Sequence, residues 1–246
     1  MKKCFVSFAA AGLSLLLITS MALAGNNFLI ENNELFIVKG GAKTLLIDSD
    51  WFYKYDLSGD RRIYAGGIDP QNNEAHQGLE GGIYFFSPEG KIISFLALED
   101  AEDYLIHFSP DGSRVVLNGG GSEYPRGYTF YEFAGFKELT KCVGWGRGQW
   151  LNNNYFIFTL ADETQPRPKI NPSDDYQPGR LSVAVYDAAK NEFTILKEAT
   201  DSEDYVFFAI NEQTGQGDIS RLWSEFVDGR TSYHSAPESI PLLFNK

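Results

Sequence analysis

The sequence predicts an all-β fold assembled from repeated antiparallel hairpins. Three observations carry that expectation. Aromatic residues make up 15% of the chain, with 19 Phe and 13 Tyr, and such side chains favour pleated, half-buried strands. The 24 Gly and 10 Pro lie between short apolar runs along the whole chain, so turns recur throughout. Beyond the first residues no stretch keeps a 3.6-residue apolar spacing, so no amphipathic helix is expected.

The hairpins follow in order. Glu34–Ile47 turns about Gly40-Gly41, Trp51–Ala65 about Ser58-Gly59, and Ile83–Leu96 about Ser87-Pro88-Glu89-Gly90. Asp100–Gly121 is the clearest, with the apolar runs Tyr104–Phe108 and Val115–Leu117 flanking Ser109-Pro110-Asp111-Gly112. Proline presets φ at the first corner of a tight turn and glycine tolerates positive φ at its end. Tyr128–Thr140 comes next, then Trp145–Leu160 with Asn152–Asn154 as its turn, then Leu181–Leu196. Tyr205–Val227 is less regular, with an enlarged turn at Thr214–Asp218. A closing strand is expected from Ile240 to Phe244.

These hairpins repeat in pairs. Asp48-Ser49-Asp50-Trp51, Asp100-Ala101-Glu102-Asp103-Tyr104 and Asp201-Ser202-Glu203-Asp204-Tyr205 match one another. They are spaced by one and two lengths of about 50 residues, the length of one four-stranded propeller blade. Trp145 fits between them as a diverged member behind Lys141-Cys142-Val143. Four units of two hairpins each therefore fill residues 25–246, giving a small β-propeller-like domain. A five-bladed propeller and a β-sandwich are the alternatives.

The stretch His107-Phe108-Ser109-Pro110-Asp111-Gly112-Ser113-Arg114, followed by Val115-Val116-Leu117, resembles the repeat of TolB-like and WD40-like bacterial β-propellers. In that repeat an aromatic-Ser-Pro-Asp-Gly turn precedes a polar pair and an apolar strand. Tyr55–Tyr64 is similar to a degraded copy, and Phe85–Lys91 to the outer hairpin of such a blade. The resemblance implies a propeller fold. The chain lacks room for TolB's N-terminal α/β domain and has too few blades, so TolB's own partnerships do not carry over.

Strands in a blade run alternately up and down. The turns inside the hairpins are therefore expected at one end, and the connections between hairpins at the other. Those connections include 66–82, 119–127 and 161–179, together with the acidic lead-ins. Long loops gathered at one end of a rigid β scaffold are where binding usually resides.

That end supplies the candidate site. Asp50, Glu102, Asp103, Glu203 and Asp204, with His76 of the 66–82 loop, are expected to bind a ligand. Asp48, Asp100 and Asp201 are candidate ligands for Ca²⁺, which takes six to eight oxygen ligands, roughly. No other cofactor is expected. No GxSxG, HxxxH or EF-hand pattern occurs, so a Ser-dependent hydrolase, a zincin and an EF-hand site are disfavoured. His107 reads as a structural, hydrogen-bonded residue within a strand. Cys142 reads as a buried, inert thiol.

Residues 1–24 read as a cleaved export signal: Lys2 and Lys3, apolar Phe5–Ile18, then Ala22-Leu23-Ala24 before Gly25. The expected destination is periplasmic or secreted, with no membrane span after cleavage. Formal net charge is −12, which repels phosphate backbones and disfavours nucleic acid as a partner. The expected function is a non-enzymatic binding or scaffold module of the bacterial cell envelope, taking a protein or glycan partner on the loop-rich acidic face. The alternative is a carbohydrate-active hydrolase or lyase using carboxylates on that face, which requires two acids at a defined separation.

Overall fold

A computed structural model describes residues 28–31, 34–47, 52–57, 64–68, 82–87, 89–97, 105–119, 126–166, 179–228 and 230–244. Every regular element among them is a strand. The first seven are β1 (Phe28–Glu31), β2 (Glu34–Lys39), β3 (Ala42–Ile47), β4 (Phe52–Leu57), β5 (Tyr64–Ile68), β6 (Gly82–Phe86) and β7 (Ile92–Ala97). Next come β8 (Leu105–Phe108), β9 (Arg114–Gly119), β10 (Arg126–Glu132), β11 (Lys137–Trp150) and β12 (Tyr155–Pro166). The last are β13 (Gly179–Asp187), β14 (Glu192–Lys197), β15 (Glu203–Asn211), β16 (Gln216–Val227) and β17 (Arg230–Pro241). The expected leader, residues 1–24, lies outside the described residues.

Within each of four sheets, β1-β2-β3, β4-β5-β6-β7, β8 through β14, and β15-β16-β17, strands consecutive in the chain pair antiparallel. The seven-stranded run is two blades joined by one strand. Lys137 to Gly144 of β11 pairs with β10, whereas Gly144 to Trp150 pairs with β12. If β11 ran straight, the turn after it would lie far from the turn between β8 and β9. Instead the two touch: the Asp111 N–H donates to Asn153 Oδ1 at 3.0 Å. Arg114 donates from one guanidinium nitrogen to the Asn153 carbonyl and to Asn154 Oδ1. Strand β11 therefore doubles back on itself.

The reversal falls in Gly144-Trp145-Gly146-Arg147-Gly148, where the register with β12 shifts. Gly146 has φ +71°, left-handed backbone that L side chains rarely adopt. A Cβ on Gly144 would collide with the Thr159 carbonyl oxygen and the Tyr128 ring. Two side chains then pin the bend from inside, since Tyr128 Oη and Asn118 Nδ2 both donate to the Gly146 carbonyl, at 2.7 and 2.6 Å.

The result is a β-propeller-like stack of antiparallel meanders. β4–β7 form one four-stranded blade, β8–β10 with the first half of β11 a second, and the rest of β11 with β12–β14 a third. Interior blades are buried on both faces. β9 sends Val115 and Leu117 toward Ile83 and Phe85 of β6, and Val116 toward Phe130, Phe156 and Tyr186. β13 sends Ala184 and Tyr186 into that second cluster, and Val183 and Val185 toward Tyr205, Phe207 and Ile240. Burial on both sides explains why these strands read as unbroken apolar runs rather than an alternation.

Two expectations about the last unit are corrected. The β15–β16 turn spans 212–215, ending in Gly215 at φ +68°, and is tight rather than enlarged. The last strand is β17, Arg230–Pro241, not Ile240–Phe244. Leu242 and Phe244 instead fold onto the cluster containing Ile157 and Tyr155. β17 is mostly exposed and Ser-rich, so no apolar rhythm announces it.

Candidate functional site

The inner strand of each unit is now identifiable. β4 lies against β8, β8 against the second half of β11, and β11 against β15. The indole N–H of Trp150 donates to the His107 carbonyl at 3.0 Å, and the Ile210 N–H to Gln149 Oε1 at 3.2 Å. These are the strands that the acidic lead-ins and Trp145 precede or open.

One end of the stack is closed by its own turns. The Phe133 N–H donates to the Ser113 carbonyl at 2.9 Å, and the Ala188 N–H to the Asn154 carbonyl at 2.8 Å. Asn191 Nδ2 reaches the Leu139 carbonyl at 3.3 Å, and Lys39 Nζ the Glu89 carbonyl at 2.9 Å. Within the 109–113 turn, Asp111 Oδ1 accepts from the Ser109 hydroxyl and from both the N–H and the hydroxyl of Ser113. Partial burial pushes the Asp111 carboxyl up, but these donors outweigh it and hold it below its ordinary value.

Antiparallel alternation sends the long connections 69–81, 120–125 and 167–178 from the other end. Segment 198–202 leaves from there too, as do two short connections: β16–β17 at Asp228, and β1–β2, whose strands pair as close as Glu31 with Glu34. The sorting of connections expected from the sequence therefore holds for the described hairpins except β1–β2 and β16–β17, where β1 and β17 had gone unseen.

Three predicted site residues stand at that end, and each has a partner. Asp201 is exposed and salt-bridged to Arg180. Glu203 Oε1 faces Arg221 at 3.3 Å, and its Oε2 accepts from the Tyr205 hydroxyl at 2.6 Å. Burial first, and that bond to Glu203 second, push the Tyr205 hydroxyl up to about 12. Asp204 is buried, with Oδ1 accepting the Leu181 N–H at 3.1 Å. Leu181 lies past the point where β14 stops pairing with β13, so the carboxylate serves a backbone donor that the sheet leaves over. Asp48, Asp50, His76, Asp100, Glu102 and Asp103 lie outside the described residues. Among the described residues no group of three or more His, Cys, Asp or Glu gathers as metal ligands.

The sequence left the cations and the aromatic stack of this end unread. Arg221 lies over the Trp223 ring at 4.8 Å, and Trp223 stacks on His234 with centroids 5.3 Å apart. Lys197 sits 4.6 Å over Tyr205 and 3.4 Å from Glu238, which also faces Arg221. His234 meets Trp223 only through the β16–β17 register, so no pairing was visible without β17.

Two interior groups complete the electrostatics. His107 is half-buried, its ring lies beside Phe156 at 5.7 Å between centroids, and its Nε2 is buried with no hydrogen-bond partner. The expected hydrogen bonding of His107 is met by the backbone, whose carbonyl accepts from Trp150, and not by Nε2. Burial, with the Arg147 charge second, lowers its pKa to about 4. Cys142 is half-buried rather than buried as expected, and that burial still pushes its thiol up to about 12, which suits an inert sulfur.

No protein-family model matches the chain, and no curated protein matches it. Among solved structures it is similar to the β-propeller domain of the Trilobed protease from Pyrococcus furiosus, at 8% identity over 85% of this chain and 77% of that one, TM-score 0.43. It is similar to TolB from Acinetobacter baumannii at 14% identity over 85% of this chain and 59% of that one, TM-score 0.34. It is also similar to the periplasmic gluconolactonase of Pseudomonas aeruginosa, at 10% identity over 88% and 66% of the two chains, TM-score 0.40. At these identities the likeness is one of fold alone.

Proposed function

We propose that the protein is an exported, non-enzymatic binding or scaffold module of a bacterial cell envelope, engaging a protein or glycan partner at its loop end. The observation that carries this reading is the difference between the two ends. Turn-to-turn hydrogen bonds occupy one end, while the long connections and the Asp201–Asp204 segment leave from the other. A rigid scaffold with its long connections on one side favours recognition there. Glu203, fixed between Arg221 and Tyr205, favours an ion-pair surface over a free acid poised for proton transfer.

The partner that co-purifies with the exported protein supplies the test. Asp201→Lys at the loop end is expected to release it, and Lys190→Glu at the turn end to retain it. A partner lost only with Lys190→Glu overturns the reading. So does glycan turnover that disappears in Glu203→Gln, which is the outcome a carbohydrate-active enzyme requires. Ca²⁺ at Asp48, Asp100 and Asp201 belongs to the same proposal. It predicts a higher thermal midpoint in millimolar Ca²⁺, and an unchanged midpoint removes the ion from the account.

A further inference from the structure

We propose that the outer face of the β15–β17 sheet is a second binding site, for a neutral saccharide, separate from the loop end. This sheet buries Tyr205, Phe207, Ile219 and Ile240 on one face, while on the other only its loop-end part is covered, where Val206 and Leu222 pack with Ala161 and Leu181. Its other face follows from the register, which pairs Asp218 with Ser239, Ser220 with Pro237 and Leu222 with Ser235. There a groove of about 600 Å³ is lined by Phe208, Asp218, Ser220, Ser235, Pro237 and Ser239. A register shift between Phe207 and Ala209 breaks the alternation of β15 and leaves Phe208 63% exposed beside the groove.

The lining does not suit an apolar sheet packed against it. Covering Ser220, Ser235, Ser239 and Asp218 with Phe, Ile and Val would strand their polar atoms. It suits a ligand with an apolar face and many hydroxyls. A pyranose offers C–H groups to the Phe208 and Pro237 rings and O–H donors to the Asp218 carboxylate, while the serine hydroxyls both give and accept. The present bonds of these groups are long. Ser239 Oγ lies 3.4 Å from Asp218 Oδ1 and Ser220 Oγ 3.5 Å from the Ala236 carbonyl, so a ligand displaces weak partners. Glu238, also at the groove, is already matched by Lys197 and Arg221. No Lys or Arg is among the described lining residues, which disfavours phosphorylated or carboxylated sugars.

Calorimetric titration with maltohexaose, cellohexaose and the hexamer of N-acetylglucosamine tests the site. At least one is expected to bind. Phe208→Ala and Asp218→Asn should each weaken that binding by about tenfold or more. Phe208→Tyr, which keeps the ring, restores it, and Glu203→Gln at the loop end leaves it unchanged. Failure of all three glycans to bind overturns the proposal. Binding that survives Phe208→Ala and Asp218→Asn, or that is lost with Glu203→Gln, does so too.

Discussion

Replacing His107 by Phe gives the sharpest energetic prediction. In the folded chain the imidazole of half-buried His107 lies against Phe156, its buried Nε2 has no partner, and its pKa is lowered from 6.5 to about 4. The unfolded chain therefore binds a proton here that the folded chain refuses. Stability falls as pH drops through the unfolded value and flattens below the folded one. Across the whole window the cost is about 3 kcal/mol, since each tenfold loss of proton affinity on folding is worth about 1.4 kcal/mol. Between about pH 7.5 and about pH 5 the expected loss is roughly 2 kcal/mol. Urea unfolding of the wild type and His107→Phe at both pH values measures it. The variant keeps the pH dependence of the carboxylates and loses this component. Equal pH dependence in the two proteins refutes the reasoning.

Three further outcomes follow from the same geometry. Gly144→Ala drives a methyl into the Thr159 carbonyl and the Tyr128 ring, and should cost more than about 4 kcal/mol, seen as insoluble or unfolded protein. Arg114→Ala removes the guanidinium bonds to the Asn153 carbonyl and Asn154 Oδ1 while leaving the Asp111 N–H on Asn153, and should lower stability by roughly 2 kcal/mol in chemical denaturation. Native Cys142, with its thiol pushed up to about 12, should resist iodoacetamide at neutral pH and react fully once unfolded; rapid labelling of the native protein contradicts the burial.

Most of the strands were legible because two-face burial leaves a strong mark. Runs such as Ile83–Phe86, Phe156–Phe158 and Val183–Tyr186 carry bulky apolar residues at successive positions, and Gly, Pro or Asn bounds them. The Ser109–Gly112 turn was legible because its residues perform local chemistry: Asp111 gathers the Ser109 and Ser113 donors within its own hairpin. What stayed hidden depends on long-range placement. β17 escaped because its support comes from β16 along one edge and its side chains are mostly solvated. Trp223 and His234 could not be joined without that register. The carboxylates of 201–204 were visible as charge, but Arg180 and Arg221 reach them from different strands. His107 looked like an ordinary strand residue because nothing local reveals that its Nε2 ends among rings.

The distance between the 109–113 and 151–154 turns tests the architecture most directly. Spin labels at Ser113 and Asn154, read by pulsed dipolar spectroscopy, report whether β11 doubles back. A folded-back β11 brings the hydrogen-bonded turns together, and a separation below about 20 Å is predicted. A straight β11, at about 3.3 Å per residue, would separate them by about 40 Å. That longer distance would undo the sorting of tight turns and long connections to opposite ends.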